Sequence, residues 1–500
     1  MSISDCVVCV SPTWLLVAAV SILGLWLGTR KPHHIPPGPP TLPLIGNLLT
    51  LSGGDVRHIF QKLRKQYGDV FSLYFGNKLV IVFNGHETLK EAFVKNGDNF
   101  SDRPKGLMYD EYTKRMGVVS SSGQLWKEQR KFSLSVLRDL GLGKSVMETR
   151  IHEEVKSCVN VILSQNGAAF DISSIINKSV CNIISSLAFG KSFEHDDPEF
   201  RCYMDTLNEK MKVVGGTSLG HFFPILKYCP GDPLKVGTFG ASDKIMRDFI
   251  RKQIALHKRD PILQQEDDFV NAYLREIDKQ KTVNAENTTF SDEMLVCIIV
   301  EYFVAGTETT ATTLRWALLY LILHPDIQEK AQLELDQVFE KEHQPSMSDR
   351  RCLPFMEALI MEVQRLADVV PFSVPHAPPQ TTQFRGFTIP ENTMLLPNIS
   401  SVLSDPDVWG DPETFRPVRF LDESGSVRRD EAVIPFFMGR RICLGESLAR
   451  MELFLFLSSL LKTFKFRLPE GEAPPDLGGI LGITRMPRPF RIIATPRHNT

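Results

Sequence analysis

One cysteine in the C-terminal part of the chain carries the pattern that most limits the fold. Residues 436–445 read F-x-x-G-x-R-x-C-x-G, and the apolar stretch behind Cys443 predicts a helix from Leu444 to about Phe464. A sulfur at a helix start meets free backbone N–H groups and the positive dipole end, which favour the thiolate. A cysteine thiolate is one of the few protein ligands of haem iron. A lone cysteine is usually structural, but four spaced partners favour the ligand here.

Those four partners suggest how a flat ligand would be held. Gly439 and Gly445 have no Cβ, so such a ligand could lie against the backbone. Phe436 is placed to pack against it, and Arg441 is placed to pair with an anionic group on it.

This pattern resembles the signature of the cytochrome P450 family, and the similarity extends over nearly the whole chain. The sequence is most similar to the microsomal family 2 enzymes, which oxidise drugs, steroids and fatty acids. The resemblance implies a mainly α-helical P450 fold with minor β structure. It also implies haem b (iron protoporphyrin IX) with Cys443 as axial ligand, and insertion of one atom of O₂ into a lipophilic substrate.

The resemblance further implies a separate electron donor. No nucleotide-binding glycine fingerprint lies in the chain, so NADPH would act through NADPH–cytochrome P450 reductase, with cytochrome b5 as a further candidate partner.

The formal net charge of −2 gives no reason to expect nucleic acid. Nine scattered cysteines, an odd number, indicate a reducing compartment.

The N-terminus predicts a membrane anchor. Residues 7–28 carry no charge, and roughly 22 helical residues span about 33 Å, enough for a bilayer core. Arg30 and Lys31 follow, while Asp5 and no Lys or Arg precede, so the positive-inside rule puts the remainder in the cytosol. The rival is a cleaved signal peptide, but a charged n-region and an A-x-A-like cleavage site are missing.

We therefore divide the chain into an anchor (1–31), a proline-rich hinge (32–50) and a catalytic domain (51–500). Residues 36–40 read Pro-Pro-Gly-Pro-Pro, which favours a stiff extended connection. With the microsomal resemblance, this predicts a single-pass protein of the endoplasmic reticulum membrane. In the family, the loop corresponding to 215–235 lies near the membrane and the substrate entrance.

Periodicity predicts few strands and many helices. Alternating residues on both sides of Gly76-Asn77 predict a β-hairpin, and minor β structure returns near 383–396 and in the last thirty residues. Helical spacing dominates elsewhere. The strongest predicted helices are 55–67, 86–95, 124–138, 148–164, 241–259, 292–323, 326–341 and 353–366.

The long predicted helix contains A-G-x-E-T. Gly306 in mid-helix costs roughly 1 kcal/mol against Ala, and the Thr309 hydroxyl can bond to the carbonyl of Ala305. Together these would loosen one turn and open a groove. The motif resembles the family's oxygen-activation segment, which gives Glu308 and Thr309 a role in proton delivery and places Ala305 at the cofactor. Without Cys443 the motif would fit a buried structural helix.

Trp126 and Arg130 share one helix face, so an indole N–H and a guanidinium can point at one carboxylate. The resemblance assigns both to the haem propionates, together with Arg103, His376 and Arg441. Two buried propionates need about this many partners. After His376 the chain departs from its relatives with Ala-Pro-Pro, which puts local strand pairing in doubt.

Glu362 and Arg365 stand three apart on one helix face, a common spacing. The segment 412–420 resembles the family's second arginine segment, which implies a buried structural cluster of Glu362, Arg365 and Arg419 rather than a catalytic one.

Four segments correspond to the family's substrate pocket: 103–122, 299–309, 369–374 and 480–485. The predicted pocket residues are Phe303, Val304, Val370, Phe372 and Ile483. Arg485 either binds a substrate carboxylate from the predicted strand that also carries Ile483, or is an exposed arginine in a turn. We favour the exposed turn residue.

Two other functions of the protein stay open: a haem-thiolate isomerase, which would not need the Glu308–Thr309 pair, and a non-catalytic haem-binding sensor.

Overall fold

The computed structural model is dominated by helices and also contains small β-sheets of two or three strands. A mainly α-helical class with minor β structure is what the periodicity predicts. The structure describes residues 34–106, 109–141, 145–194, 197–217, 231–232, 235–283, 288–340 and 343–497, together with Thr13, Leu16 and Val20.

The described α-helices and strands are as follows, in chain order. The α-helices are Leu48–Leu51 (α1), Val56–Tyr67 (α2), His86–Lys90 (α3), Tyr109–Thr113 (α4), Gly123–Asp139 (α5), Ser145–Leu163 (α6), Ser173–Phe189 (α7), Pro198–Thr217 (α8), Val236–Arg259 (α9), Phe269–Val283 (α10), Asp292–Leu323 (α11), Pro325–Val338 (α12), Pro354–Ala367 (α13), Ser400–Leu403 (α14), Pro406–Trp409 (α15) and Glu446–Thr463 (α16). The strands are Val70–Phe75 (β1), Lys78–Phe83 (β2), Thr382–Phe384 (β3), Phe387–Ile389 (β4), Met394–Pro397 (β5), Phe464–Arg467 (β6), Ile480–Leu481 (β7), Arg485–Met486 (β8) and Ile493–Pro496 (β9).

The predicted hairpin is confirmed, and it is part of a three-stranded sheet. Strands β1 and β2 pair antiparallel around the turn at Gly76, and β5 joins β2 in parallel. Beyond His376 the pairing is reduced to single bridges, His376 with Leu395 and Ala377 with Asp102. Prolines 378 and 379 cannot donate to a ladder, and β3 begins only at Thr382.

Each predicted helical segment coincides with an observed helix to within a few residues, although the segment 86–95 changes from α-helix to a π-helical turn at Glu91. The long helices α7, α8 and α10 have no counterpart among the predicted segments, and neither have the short helices α1, α4, α14 and α15. Helix α7 is buried on every side from Ser179 to Phe189. A helix without a polar face gives no amphipathic pattern to detect.

Helix α11 forms the centre of the main hydrophobic core and packs most extensively on α7. It is the one helix among the described residues that is long and apolar enough to cross a membrane, yet 67% of its most apolar window is buried inside the protein. That burial identifies α11 as a core helix.

The predicted anchor, 1–31, lies outside the described residues apart from three isolated positions, and most of the loop 215–235 lies outside them as well.

The described part of the predicted hinge is bound to the body of the protein. The Ser72 backbone N–H donates to the carbonyl of Pro37, and the Ser72 hydroxyl donates to that of Pro36, both at 2.8 Å. An added Cβ on Gly38 would overlap the Ser72 carbonyl. Extended prolines leave their carbonyl groups free to accept such bonds, so this segment packs along β1 instead of spanning solvent.

The predicted charge cluster is present behind the core. Arg365 forms two hydrogen bonds with the Glu362 carboxylate, at 2.7 and 2.9 Å, and Arg419 forms a third at 3.0 Å. The side chains of Glu362 and Arg365 are 0% and 1% exposed. The carboxylate also accepts from the Arg416 backbone N–H at 2.8 Å. The cluster joins α13 to the segment before the cysteine turn.

Removing the shared carboxylate should destabilise the fold strongly. In Glu362→Ala, Arg365 would remain buried without a counter-charge and Arg419 would keep only its ion pair with Asp411. We therefore expect the free energy of unfolding to fall by about 3–5 kcal/mol. Chemical denaturation monitored by circular dichroism measures this change. Lys258→Ala, which removes an exposed ion pair with Asp292, is the control and should change it by less than about 1 kcal/mol. Equal losses in the two variants would contradict the buried role of Glu362.

Candidate active site

The turn before α16 is closed by its own backbone. The N–H of Cys443 donates to the carbonyl of Phe436 at 3.0 Å, and the N–H of Ile442 donates to that of Gly439 at 3.1 Å. Gly439 has φ +77°, and an added Cβ would overlap the carbonyl oxygen of Phe93. Its need for glycine therefore comes from the neighbouring backbone and not, as predicted, from a ligand. Gly445 lines a cavity and has no atom within 4 Å of an added Cβ, so it matches the prediction of an open face.

Cys443 faces an internal cavity of about 310 Å³. The thiol is accessible from the cavity but lies deep in the protein, and this burial raises its pKa. Hydrogen bonds from the backbone N–H groups of Gly445 and Glu446, and the charge of Arg130, act in the opposite direction. The positive charge of a bound metal ion would add to these effects in favour of the predicted thiolate.

Three arginines converge on the same cavity, as the sequence predicts. Arg441 donates to the carbonyls of Ser101 and Ser121, both at 2.7 Å, and Arg130 donates to the carbonyl of Ile442 at 2.6 Å. Burial, with Arg103 and Arg130 nearby, lowers the pKa of Arg441 to about 8. Burial lowers the pKa of Arg103 to about 10, with Glu301 opposing and Arg130 adding to the shift. Such values are expected for clustered cations without a matching anion.

Two buried nitrogens beside this cluster have no partner among the described residues. They are Nε1 of Trp126 and Nε2 of His376. Trp126 lines the cavity beneath the Arg441 guanidinium, whose carbon lies 3.9 Å from the indole ring centroid. His376 does not line the cavity; its Nδ1 bonds to the Phe100 carbonyl at 2.7 Å. Buried polar atoms normally find a partner, so the Trp126 N–H beside crowded cations fits an anionic ligand such as a haem propionate. Because Nδ1 of His376 donates to the Phe100 carbonyl, its Nε2 can donate to such an anion only when the imidazole is protonated. Burial, with Arg103 and Arg441 nearby, lowers the pKa of His376, so the anion itself would have to favour that form.

Helix α11 supplies the wall of the cavity with Ala305, Gly306 and Thr309. The Thr309 hydroxyl donates to the carbonyl of Ala305 at 2.7 Å, as predicted. The helix nevertheless remains α-helical through this segment. A Cβ on Gly306 would lie 2.5 Å from Cδ1 of Ile184. Glycine here permits close packing of α11 on α7, instead of the loosened turn that the sequence suggests.

Comparisons with known proteins agree with this site. The family model for cytochrome P450 matches residues 36–494. The chain belongs to the cytochrome P450 family. It is 41% identical to cytochrome P450 2J3 of Rattus norvegicus over 97% of this chain and 96% of the relative. It is 39% identical to cytochrome P450 2J2 of Homo sapiens, over 98% and 97%, and 40% identical to cytochrome P450 2D4 of Rattus norvegicus, over 94% of each.

This P450 does not present the predicted acid, Glu308, to the cavity. The side chain is 7% exposed, and one of its oxygens accepts from the hydroxyls of Thr312 at 3.1 Å and Thr484 at 3.3 Å. Glu308 and Thr309 are adjacent on a helix, so their side chains point about 100° apart. In this conformation Thr309 faces the cavity and Glu308 faces the segment around Thr484.

Of the five predicted pocket residues, Val370 lines the cavity of this P450. Phe303 packs in the core against Tyr203, with ring centroids 5.1 Å apart. Phe372 packs on Phe60 at 5.1 Å, and Ile483 is 45% exposed. Val304 is partly buried against the main core and does not line the cavity. Side chains on one helix or strand point in different directions, so only part of a predicted segment can face the ligand.

Arg485 is neither a clamp nor an exposed turn residue. It is 5% exposed and donates to the carbonyls of Ala367 at 2.6 Å and Leu366 at 3.0 Å. Its guanidinium carbon lies 4.4 Å from the ring centroid of Trp316. These contacts hold β8 against the end of α13 and against Trp316 of α11, so the role of Arg485 is structural.

Sequence reasoning missed Glu301, which lines the cavity. Its carboxylate accepts from the backbone N–H groups of Val118 at 2.6 Å, Val119 at 2.9 Å and Ser120 at 3.2 Å. Burial raises its pKa to about 6, against those hydrogen bonds. Glu301 thereby fixes the loop whose carbonyls hold Arg103 and Arg441. An acid inside the apolar run 296–306 is the signal that could have found it.

Substitution of Gly439 should disrupt the cysteine turn. In Gly439→Ala the left-handed backbone costs about 1–2 kcal/mol, and the methyl group must also displace the Phe93 carbonyl. We expect the free energy of unfolding to fall by more than this backbone cost, which denaturation measures. We also expect a low haem content, which the ratio of Soret to protein absorbance measures. Gly53→Ala, with no atom near the added Cβ, should stay within about 0.5 kcal/mol of wild type. Normal haem content in Gly439→Ala would show that the turn tolerates a side chain.

Proposed function

We propose that this P450 is a haem-thiolate monooxygenase that inserts one atom of O₂ into a lipophilic substrate. The observation that carries the proposal is the placement of Cys443 in the same cavity as Thr309 and three converging arginines. A thiolate ligand, an anion-binding cluster and a helix hydroxyl are the protein groups that such chemistry needs.

The residues around the cavity fit haem b. Cys443 would ligate the iron, and the guanidiniums of Arg103, Arg130 and Arg441 would neutralise the propionates. The other cofactor residues are Trp126 as an N–H donor, His376 as a donor through Nε2 in its protonated form, and Phe436 and Ala305 as packing surfaces. When bound, the haem supplies O₂ activation, and the thiolate ligand favours O–O cleavage. Glu362, Arg365 and Arg419 act by holding the segment before the cysteine turn.

Thr309 is the residue that we expect to take part directly in proton delivery. Its hydroxyl hydrogen is engaged by the carbonyl of Ala305, so its oxygen can accept a hydrogen bond from a water or substrate in the cavity. Glu308 would assist only after rotating away from Thr312 and Thr484. We therefore assign Thr309 the direct role and Glu308 an indirect one.

The substrate is expected to be apolar. Val369, Val370 and Val374 line the cavity, and apolar walls favour a ligand by about 25 cal/mol per Å² buried. We propose a lipophilic small molecule of the drug, steroid or fatty-acid type, which is what the resemblance to the microsomal family 2 enzymes implies.

Electrons would come from NADPH through NADPH–cytochrome P450 reductase, with cytochrome b5 as a further candidate partner.

We also propose the division of the chain into a membrane anchor (1–31), a hinge (32–50) and a catalytic domain (51–500). An uncharged N-terminal run followed by basic residues supports a single-pass protein in the endoplasmic reticulum membrane, with its catalytic domain on the cytosolic face.

Replacement of Cys443 should abolish the cofactor signature. Cys443→Ala removes the thiolate, so the red-shifted Soret band of the ferrous–CO complex and all substrate turnover should disappear. Cys352→Ala, at an exposed cysteine outside the cavity, should keep both. A Cys443→Ala protein that retains the thiolate spectrum would assign the iron to another ligand.

Replacement of Thr309 should separate cofactor binding from coupling. Thr309→Ala should still bind haem and substrate, while NADPH-derived electrons go to peroxide and product formation falls by up to about 100-fold. Parallel assays of NADPH, peroxide and product measure this division. Thr282→Ala is the control, because its hydroxyl makes the same i−4 bond to Asp278 on a surface helix. Unchanged coupling in Thr309→Ala would mean that another group delivers the proton.

A further inference from the structure

A second cavity of the protein, of about 370 Å³, takes no part in the proposed reaction. Side chains of α2, the end of α13 and residues of the segments 398–406, 412–413 and 476–478 contribute to its lining. We call it the polar cavity. Asp368, the residue that follows α13, borders both this cavity and the one that contains Cys443.

The charged groups of the polar cavity do not simply neutralise one another. Among the described residues the lining has four arginines and four acids, which are Arg57, Arg64, Arg365, Arg485, Asp368, Asp405, Glu413 and Asp476. Three of the arginines are paired with acids outside the lining. These pairs are Arg57 with Asp55 at 2.6 Å, Arg64 with Asp69 at 2.7 Å and Arg365 with Glu362 at 2.7 Å. The fourth arginine donates to backbone carbonyls. Carboxylates are therefore in excess inside the cavity.

Two of the four acids already have donors for both oxygens. Asp405 accepts from Arg64 at 2.9 Å and from a backbone N–H at 3.1 Å. Asp476 accepts from Arg488 at 3.3 Å and from a backbone N–H at 2.9 Å. Glu413, in contrast, is exposed, and no hydrogen bond or ion pair engages it among the described residues.

Asp368 is buried and has an oxygen without a donor. Its side chain is 6% exposed, and its Oδ1 has no hydrogen-bond partner among the described residues. Its Oδ2 lies 3.8 Å from Nη1 of Arg57, beyond hydrogen-bond distance. Burial raises the pKa of this carboxyl group, and a bound cation would act in the opposite direction. A buried carboxylate oxygen that lacks a donor favours a ligand that brings N–H groups.

We propose that the polar cavity is a second ligand site, separate from the cavity that contains Cys443, for a small organic cation with at least two N–H donors. One donor would bond to Oδ1 of Asp368, and the Glu413 carboxylate would share the positive charge. An anion would meet the unpaired carboxylate oxygen, and an apolar ligand would leave that oxygen without a donor, so both are disfavoured. The proposal does not depend on the monooxygenase activity.

The test is isothermal titration calorimetry with 1,4-diaminobutane, which carries two ammonium groups at neutral pH. The full haem-loaded chain is titrated as its ferrous–CO complex, because CO occupies the iron position that an amine could otherwise take. 1,4-Butanediol has the same carbon chain without the charge and is the control ligand. We expect saturable binding of the diamine at one site per chain and no detectable binding of the diol.

Substitutions decide which cavity holds the diamine, because Glu413 lines the polar cavity alone whereas Asp368 lines both cavities. Glu413→Gln should raise the dissociation constant about two- to fivefold, as expected for an exposed ion pair. Asp368→Asn should raise it more than about tenfold, since a buried charge-assisted hydrogen bond is lost. Glu423→Gln, at an exposed acid outside the lining of both cavities, should leave it unchanged.

The proposal would be overturned if wild type showed no saturable binding of the diamine, or bound the diol equally well. Loss of affinity in Asp368→Asn alone would overturn it as well, by placing the diamine in the cavity that contains Cys443. Equal losses in Glu413→Gln and Glu423→Gln would reduce the effect to general surface charge and have the same consequence. Because Glu413 is exposed, its variant carries the decision even if Asp368→Asn does not fold. Absence of turnover with every substrate would contradict the proposed function and leave the diamine result unaffected.

Discussion

The site depends on the hydrogen bonds by which Arg441 ties the cysteine turn to the N-terminal third of the chain. One guanidinium reaches the carbonyls of Ser101, Val118 and Ser121, more than 300 residues away along the sequence. The loop containing Val118 is in turn fixed by Glu301 of α11. The turn, the loop and the central helix are therefore held together by groups that also border the cavity.

This arrangement has an electrostatic cost in the absence of a ligand. Three guanidiniums lie together with lowered pKa values, and buried nitrogens of Trp126 and His376 have no protein partner among the described residues. Each of these features lowers the stability of the folded polypeptide without a cofactor, because a polar group is removed from water and gains no partner. An anionic cofactor would reverse the sign of these terms, so haem binding and folding stability should be strongly linked.

The hairpin and the positions of most long helices could be predicted from the sequence, because they follow from local spacing. The Thr309 to Ala305 hydrogen bond was also predicted from residue types at a fixed separation, and the structure contains it. The family and the Glu362–Arg365–Arg419 cluster were predicted from the resemblance of motifs along the chain, and the structure contains the cluster. The fully buried helix α7 could not be predicted in this way, since burial on every side removes the amphipathic pattern.

Only the tertiary structure decided which side chains face the cavity. Glu308 and Thr309 are neighbours in sequence but point about 100° apart, and Phe303 and Arg485 turn from the pocket into the core. The same holds for glycine: Gly439 is required by the Phe93 carbonyl and Gly306 by Ile184, contacts between residues far apart in the chain. Sequence determines residue chemistry and local periodicity, whereas orientation, burial and the resulting pKa values depend on what packs against each residue.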